Sequence, residues 1–503
     1  MAGRAMLAAA IGFVVSTSCM VRDAHGHDYR AALAMSLLYF EGQRSGRLPP
    51  SQRVQWRGDS ALGDGDDHRV DLTGGYYDSG DNVKFGLPMA FTVATLSWSV
   101  VEYRDRLDAA GELGHALDAV RWGADYLARA HASAGGDTEA LYVQVGDGDS
   151  DHSCWQRPED MDTPRTAYMV NASSPGSDVA AETAAALAAA AVAFTGADGN
   201  YASTLLMHAK QLFEFAKNHR GLYHNSVPSA AMFYASSGDE DELLWAAAWL
   251  YIATGGEEEY RAYIAAATNL GGVRSMFSWD DKFVGAQTLV AKLVLHGKLP
   301  DDGSHAEMKS NLEQFICNLV QHGSGAGNGG GGARLSPGGM LWWDSWNNMQ
   351  YVTLAALVLA VHADHLTAAK AASLQCSGGG GGSLSPAQLT SFARSQVDYI
   401  LGTNPETMSY MVGYGSRYPA EVHHRAASVP SIKSSPAKVT CKGGFDYFNK
   451  GSPDPNVIAG AIVGGPDAND KYNDSRQNFR QTEPSTVTVA PIVGVLARLS
   501  PLV

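Results

Sequence analysis

The sequence predicts an all-α protein whose helices form hairpins arranged in a ring. Apolar residues recur at three- and four-residue spacing from one end of the 503-residue chain to the other. Alternation typical of strands is scarce, which argues against a βαβ architecture. The predicted helices have similar lengths, but the loops between them are very unequal. Long polar and aromatic loops would then gather on one face of the ring, where function tends to lie.

About twelve helices are predicted. In residues 114–132, for example, Leu117, Val120, Ala124 and Leu127 follow helical spacing with charged residues between them. The others are predicted at 29–41, 89–109, 178–196, 200–219, 240–254, 257–269, 281–297, 304–323, 349–371, 386–401 and 484–499. The longest apolar stretch, residues 179–194, is shorter than the ~20 residues that cross a bilayer. Its alanines favour a helix packed closely against its neighbours.

The first 26 residues are predicted to be a secretory signal peptide. Arg4 precedes an apolar run at residues 6–15, and small residues follow at 16–18. A run of ~10 apolar residues is too short to span a membrane, so we expect cleavage and no membrane anchor. The helices occupy the rest of the chain, and no linker isolates a second unit. Residues 27–503 are therefore predicted to be one domain, exported from the cell and monomeric.

The composition excludes several classes of partner. A net charge of −15 without a basic stripe makes nucleic acid and anionic membranes poor partners. The four cysteines beyond the signal peptide, Cys154, Cys317, Cys376 and Cys441, could form two disulfides, and three pairings stay open. Glycine tracts at 323–332 and 378–382 do not continue into Gly-Lys-Ser/Thr. They are interpreted as flexible surface loops rather than phosphate-binding loops.

A first acidic cluster lies in residues 74–85, GGYYDSGDNVKF. Asp78 and Asp81 stand three residues apart around Gly80, so on a glycine-rich turn both carboxylates could point at one small object. An ordinary Asx turn or a cation-binding loop is the alternative. Calcium loops need more oxygen donors at alternating spacing, and this segment lacks them.

A second acidic cluster lies in residues 464–483, just before the last predicted helix. It contains five charged residues in a loop-rich stretch: Asp467, Asp470, Asp474, Arg476 and Glu483. Tyr472 and Phe479 are interleaved with them, which is unusual for a solvated acidic loop. Aromatic neighbours raise the pKa of a carboxyl by desolvation, as a general acid requires near neutral pH. Glu483, at the start of a helix, suits that role.

A third cluster, residues 409–425, holds His423, His424 and Arg425. Adjacent histidines would not point at one place on a regular element, and the chain has no His-Glu-x-x-His. We therefore expect no metal and no cofactor. On an extended segment, His423 and Arg425 would offer hydrogen-bond donors on the same side, which fits a neutral ligand rich in hydroxyl groups.

Tryptophans in loop-like stretches complete the prediction of a binding groove. These are Trp155, Trp279, Trp342, Trp343 and Trp346, whereas Trp98, Trp122, Trp245 and Trp249 lie on periodic helices and are expected in the core. Exposed rings would stack on the flat apolar faces of sugars. Two carboxylate clusters and an aromatic groove favour a glycosidase, and the Gly-x-Ser-x-Gly elbow of lipases is absent.

Several long motifs resemble glycoside hydrolase family 9 endo-β-1,4-glucanases of the secreted plant type without a carbohydrate-binding module. They include YFEGQRSGRLPP at 39–50, GGYYDSGDNVKFGLPMAF at 74–91, CWQRPEDMDTPRT at 154–166, DELLWAAAWLY at 241–251, FSWDDKFVGAQ at 277–287 and WNNMQYV at 346–352. The resemblance implies an (α/α)6 barrel whose long loops form an open substrate cleft. It also implies a β-1,4-glucan of the cell wall, such as amorphous cellulose, as the substrate.

The resemblance also implies roles for individual residues. Asp81 corresponds to the general base, Asp78 to its partner in holding the attacking water, and Glu483 to the general acid. Asp474 corresponds to a supporting aspartate, and His423 and Arg425 to a His-x-Arg pair that contacts the sugar. The aromatic residues expected to bind substrate in the groove are Tyr472, Trp155, Trp279, Trp343 and Trp346. The family inverts anomeric configuration, for which acid and base carboxyls stand ~6.5–9.5 Å apart.

The chain departs from the family pattern at Ala426, where a glycine is usual, and at Val487 and Val489, where tyrosine and asparagine are usual. These changes leave the carboxylates intact but alter expected contacts in the cleft. A non-catalytic glucan-binding wall protein derived from the same fold is the alternative. The presence of Asp78, Asp81 and Glu483 together argues against it. Cellulose, mixed-linkage glucan and xyloglucan stay open as the preferred polymer.

Overall fold

The computed structural model of the protein describes residues 26–320, 333–376 and 382–502. The predicted signal peptide, except for Gly26, lies outside the described residues. So do the glycine tracts, except for Gly382, and the last three residues of the helix predicted at 304–323.

The described residues contain seventeen α-helices and two short 3-10 turns, Pro158–Asp160 and Pro228–Ala230. The helices are α1 Tyr29–Gln43, α2 Gly86–Ala110, α3 Leu113–Ala130, α4 Gly148–His152, α5 Ser177–Phe194, α6 Gly199–Asn218, α7 Tyr223–Ser226, α8 Glu240–Ala253, α9 Glu258–Ala266, α10 Phe283–Leu295, α11 Gly303–Val320, α12 Met349–Ala368, α13 Pro386–Leu401, α14 Arg425–Ser428, α15 Phe445–Phe448, α16 Phe479–Thr482 and α17 Thr486–Leu499. Twelve of them have nine or more residues, and they coincide with the twelve predicted helices to within a few residues at each end. The other five are single turns in the loops.

The twelve long helices form two concentric rings. The inner ring consists of α2, α5, α8, α10, α12 and α17, each in contact with the next, and α17 closes the ring by packing on α2. The outer ring consists of α1, α3, α6, α9, α11 and α13, each packed on one or two inner helices. The predicted (α/α)6 barrel is thereby confirmed.

Inner helices are apolar on all sides because they have neighbours on all sides. In α5 every residue but Val192 is buried, and its many alanines allow the close approach of α2, α6 and α8. By length and composition alone, α5 and α12 could each cross a membrane. However, 94% and 72% of their apolar windows are buried inside the barrel, as expected of core helices.

A four-stranded antiparallel sheet accompanies the barrel, and the sequence reasoning did not predict it. It consists of β1 Lys84–Phe85, β2 His131–Ala134, β3 Asp137–Val145 and β4 Ala167–Val170, with β3 paired to all three others. The six residues 140–145 of β3 are buried on both faces, so they show no alternation of polar and apolar residues. Because Lys84 pairs with Val145, the sheet fixes the chain directly after Asp81.

Two small hairpins and two disulfides complete the described structure. The hairpins pair β5 Arg334–Leu335 with β6 Leu341–Trp342, and β7 Leu374–Gln375 with β8 Ser383–Leu384. Of the three possible cysteine pairings, the structure has Cys154–Cys441 and Cys317–Cys376. The first joins two loops that are 287 residues apart in sequence.

Candidate active site

A cleft of about 340 Å³ brings together residues from six separate parts of the chain. Its lining includes the three predicted catalytic carboxyls, Asp78, Asp81 and Glu483. Aromatic side chains supply much of the remaining wall: Phe85, Phe233, Tyr234, Trp279, Trp346 and Tyr351. The two acidic clusters, about 400 residues apart, therefore converge on one cavity.

A tight turn at Gly80 makes this convergence possible. A Cβ atom on Gly80 would lie 2.1 Å from the carbonyl oxygen of His423, so only glycine fits there. The backbone N–H of Gly80 donates to Oε1 of Glu483 at 3.2 Å. On the same turn, Oδ1 of Asp81 accepts the N–H of Val83 at 2.8 Å. The acid is thereby held against the turn that presents Asp81.

Asp78 is held by hydrogen bonds to one of its two oxygens. Its Oδ2 accepts the hydroxyl of Tyr234 and, at 3.1 Å, the hydroxyl of Ser79. Its Oδ1 is buried and has no hydrogen-bond partner among the described protein atoms. That oxygen is therefore available to bind a water molecule in the cleft.

Burial and mutual repulsion set the protonation of the three carboxyls. Burial, reinforced by the charge of Asp81, raises the pKa of Glu483 to about 8 and that of Asp78 to about 8. Burial also raises the pKa of Asp81, but nearby His152 and Arg425 oppose that shift. At neutral pH Glu483 thus keeps its proton. Of the two aspartates, Asp81 is the one whose charged form is favoured by a neighbouring arginine, Arg425.

His423 is fixed as a neutral imidazole beside the cleft. Its Nδ1–H donates to the carbonyl of Arg476 at 2.6 Å, and burial lowers its pKa to about 3. Its ring packs against Trp155 and Phe479, with centroids 4.9 and 5.8 Å away. His424 turns elsewhere and pairs with Gln43 at 2.7 Å, so the two histidines do not point at one place.

The structure differs from the prediction for Arg425. Only 2% of this residue is exposed, and its guanidinium pairs with Asp151 at 3.1 Å. It also donates to the carbonyls of Gly80 and Cys154, at 3.0 and 3.2 Å. Its donors are engaged with protein atoms, so Arg425 supports the Gly80 turn from behind.

Asp474 and Tyr472 do not line the cleft. The carboxylate of Asp474 accepts the backbone N–H groups of Ala420 and Glu421, at 2.8 and 3.1 Å. Tyr472 packs edge-on against Tyr410, and its hydroxyl is buried. Asp474 therefore ties the acid-bearing loop to the segment that precedes His423.

The predicted groove tryptophans occupy three different environments. Trp279 and Trp346 line the cleft, and Trp346 is 50% exposed. Trp343 is half-buried, donates to the carbonyl of Ser275 and packs on Tyr351. Trp155 is only 3% exposed and donates to the hydroxyl of Ser428, so the expectation of an exposed ring was wrong for it. Its ring packs against Phe448, His423 and the guanidinium of Arg425.

Comparison with known proteins agrees with this geometry. Residues 29–496 match the profile of Glycosyl hydrolase family 9. This chain belongs to that family. It is 84% identical to Endoglucanase 14 of Oryza sativa subsp. japonica, over 99% of this chain and 100% of that protein. The predicted family and the predicted enzyme class, an endo-1,4-β-glucanase, are confirmed.

Solved structures of family members share the fold. An endoglucanase of the termite Nasutitermes takasagoensis is 39% identical, with a TM-score of 0.81, over 94% of this chain and 99% of that chain. Endoglucanase CelQ of Clostridium thermocellum, solved in complex with cellotetraose, is 29% identical, with a TM-score of 0.75. That match covers 94% of this chain and 70% of CelQ.

The structure reveals two neighbours of the cleft aspartates that were not predicted from the sequence. Tyr234, which donates to Asp78, lies 156 residues away in sequence. His152 places Nε2 4.0 Å from Oδ2 of Asp81, and its ring packs on Phe233 at 4.6 Å. No spacing rule links residues so far apart. The run of Met232, Phe233 and Tyr234 in a loop was the one available signal.

The described residues contain no group of three or more His, Cys, Asp or Glu side chains arranged to hold a metal ion. The two aspartates of the Gly80 turn instead have a tyrosine, a serine and a backbone N–H as neighbours. These donors suit carboxyl groups that exchange protons with water and sugar oxygens.

Proposed function

We propose that this family 9 endoglucanase is secreted and hydrolyses internal β-1,4-glucosidic bonds of cell-wall glucans, such as amorphous cellulose, with inversion. Asp81 acts as the general base, Glu483 as the general acid, and Asp78 helps to hold the attacking water. The main support is that Glu483, whose pKa is raised to about 8, and Asp81, whose charged form is favoured by Arg425, share one cleft walled by aromatic rings.

The reaction is a single displacement. A water molecule held between Asp78 and Asp81 attacks the anomeric carbon, and Asp81 accepts its proton. The bond to the glycosidic oxygen breaks as Glu483 donates its proton to that oxygen. Attack opposite the leaving group turns a β bond into an α hemiacetal.

The walls of the cleft favour a glucan chain as the substrate. Trp279, Trp346 and Tyr351 offer apolar faces, while Asp344 and Gln350 in the same lining can bond hydroxyl groups. CelQ, a relative with the same fold, was solved with cellotetraose bound. The apolar start of the chain supports action outside the cell, in the wall.

The test compares two properties of the Asp81→Asn variant, its rate of hydrolysis and its binding of substrate. We expect hydrolysis of amorphous cellulose to fall by ~10²–10⁴-fold, because the general base is lost. Binding of cello-oligosaccharides should survive. Asp71→Asn, at an exposed aspartate bonded to Thr73 and outside the cleft lining, is the matched control. Near wild-type activity of Asp81→Asn would assign the base elsewhere.

Two further measurements address inversion and the alternative function. NMR of freshly released product should show the α anomer first, and an initial β anomer would refute the single displacement. A glucan-binding protein without activity would release no reducing sugar from any glucan of a defined panel. The same panel identifies the preferred polymer.

A further inference from the structure

Asn347 has an unusual backbone conformation at the cleft. Its φ of 44° lies in the left-handed region, which costs free energy in residues other than glycine. Six non-glycine residues of the described chain have positive φ, and of these only Asn347 lines the cleft. The residue is 6% exposed, so its surroundings hold it in this conformation.

Hydrogen bonds tie Asn347 to the chain on both sides of Glu483. Its Nδ2 donates to the hydroxyl of Ser485 at 3.1 Å, and its Oδ1 accepts the hydroxyl of Thr488 at 3.1 Å. Its backbone N–H donates to the carbonyl of Arg480 at 3.0 Å. Ser485 and Thr488 also bond each other at 2.7 Å, so the amide completes a closed polar group.

The same residue sets the direction of Trp346. Trp346 immediately precedes Asn347 and packs on Phe479, with ring centroids 5.0 Å apart. Behind the turn, a Cβ atom on Gly464 would come within 3.1 Å of the Cα of Asn347. The turn therefore has no room to relax, and a change at Asn347 would redirect the Trp346 ring.

We propose that Asn347 is a positioning residue that fixes the Trp346 ring relative to Glu483, so that a sugar stacked on Trp346 meets the acid. The inference depends on the proposed role of Glu483 as the acid. Asn347 itself acts through Ser485, Thr488 and the turn, and takes no part in proton transfer.

The decisive variant is Asn347→Gly, which retains the left-handed backbone but removes the amide. We expect kcat on amorphous cellulose to fall roughly 10-fold, the effect of two lost hydrogen bonds. On 2,4-dinitrophenyl cellobioside, whose leaving group needs little protonation, the loss should be at most about 2-fold. The control is Lys370→Gly, at an exposed residue with a φ of 59° outside the cleft lining, which should change neither rate.

A second variant and a pH profile separate positioning from a purely structural role. Thr488→Val removes one of the same hydrogen bonds without changing the side-chain volume, and the double variant should lose less than the two single losses combined. In Asn347→Gly the alkaline limb of kcat should move to lower pH, because water would reach Glu483. The proposal would be overturned if Asn347→Gly lowered kcat equally on both substrates and left the alkaline limb of the pH profile in place. It would also be overturned if the variant changed neither rate. Full activity of Glu483→Gln would instead overturn the proposed function.

Discussion

At the residue scale, the proposed roles of acid and base depend on how far each carboxyl is withdrawn from water. An exposed glutamic acid has lost its proton at neutral pH, whereas Glu483 is half-buried in the cleft wall, where desolvation raises its pKa and the Gly80 N–H offers a compensating donor. Asp81 is buried too, but His152 and Arg425 favour its charged form. The neighbours of two similar side chains thus favour the protonated form of Glu483 and oppose the protonation of Asp81.

The first prediction at the residue scale concerns pH and activity. Because Glu483 must hold its proton to act as the acid, kcat on cellulose should fall as the pH rises through about 8. The measurement is a pH profile of kcat between pH 4 and 10 on cellulose. An alkaline limb below pH 6 would contradict the assignment of Glu483 as the acid.

Stability provides an independent check on the same group. The folded pKa of Glu483 is raised above the usual 4.5 of a glutamic acid, so the folded state binds the proton more tightly than the unfolded state. This contribution is fully present below pH 4.5 and is lost as the pH rises to about 8. Glu483→Gln removes it, so the free energy of unfolding of the variant relative to wild type should increase between pH 5 and pH 8 in urea titrations.

A second residue-scale prediction concerns the two valines after Glu483. Val487 lines the cleft, whereas Val489 is fully buried in the core and does not line it. Val487→Tyr should therefore raise activity on short cello-oligosaccharides more than on polymer, because it adds a stacking surface. Val489→Asn should instead lower the free energy of unfolding by ~1–3 kcal/mol, since it buries an unpaired amide.

Both substrates should be measured with the same enzyme preparation. Unchanged or lower activity of Val487→Tyr on the short substrates would mean that this valine, in the first turn of α17, has only a packing role. A Val489→Asn variant as stable as wild type would show that its amide finds a partner.

At the scale of elements, most residues of the candidate site lie on loops, and the barrel helices position these loops. The Cys154–Cys441 disulfide joins the loop before Trp155 to the segment that leads into α15. Beside it, the backbone N–H of Trp155 donates to the carbonyl of Cys441 at 3.1 Å. The carbonyl of Cys154 accepts from Arg425, which in turn supports Gly80. A continuous chain of contacts thus connects the disulfide to the turn that bears Asp81.

The two disulfides should therefore differ in function. Replacing Cys154 and Cys441 by serine should lower kcat several-fold at temperatures well below unfolding, because the support of the Gly80 turn loosens. The matched control replaces Cys317 and Cys376, which link the last turn of α11 to β7 away from the cleft lining. Both pairs should cost ~2–5 kcal/mol of stability. Equal kcat in the two variants would contradict this functional difference.

At the scale of the whole molecule, the fold depends on closure of the ring. The last helix, α17, packs on α1, α2 and α12, and of its fourteen residues all but Arg498 are buried. Each large apolar side chain in it contributes ~1.5–3 kcal/mol on burial. Its seven large apolar side chains together contribute ~10–20 kcal/mol, which is comparable to the ~5–15 kcal/mol by which a domain is stable, so we expect the barrel not to persist without α17.

A truncation tests this dependence. A chain ending at Ser485 retains Asp78, Asp81 and Glu483 but lacks α17. We expect no cooperative thermal unfolding by circular dichroism and no activity. The control is a chain ending at Ser500, which keeps α17 whole and should unfold as wild type does. Cooperative unfolding of the shorter chain near the wild-type temperature would show that the ring tolerates an opening.

Much of the molecule was predictable because its signals are local. The helical period identified all twelve long helices, since each must turn an apolar stripe toward neighbours. Paired carboxylates near Gly80 and Glu483 were recognisable because the chemistry requires those residue types. The long motifs identified the family, and the barrel followed from the family.

Only the tertiary structure decided which residues meet and which are exposed. Nothing in the sequence spacing joins Tyr234 to Asp78 or pairs Cys154 with Cys441, because those contacts arise from loops brought together by the barrel. Trp155 and Arg425 look available in sequence but are buried by neighbours from distant segments. Local sequence determines the period of each helix, whereas burial and charge environment are sums over the whole fold.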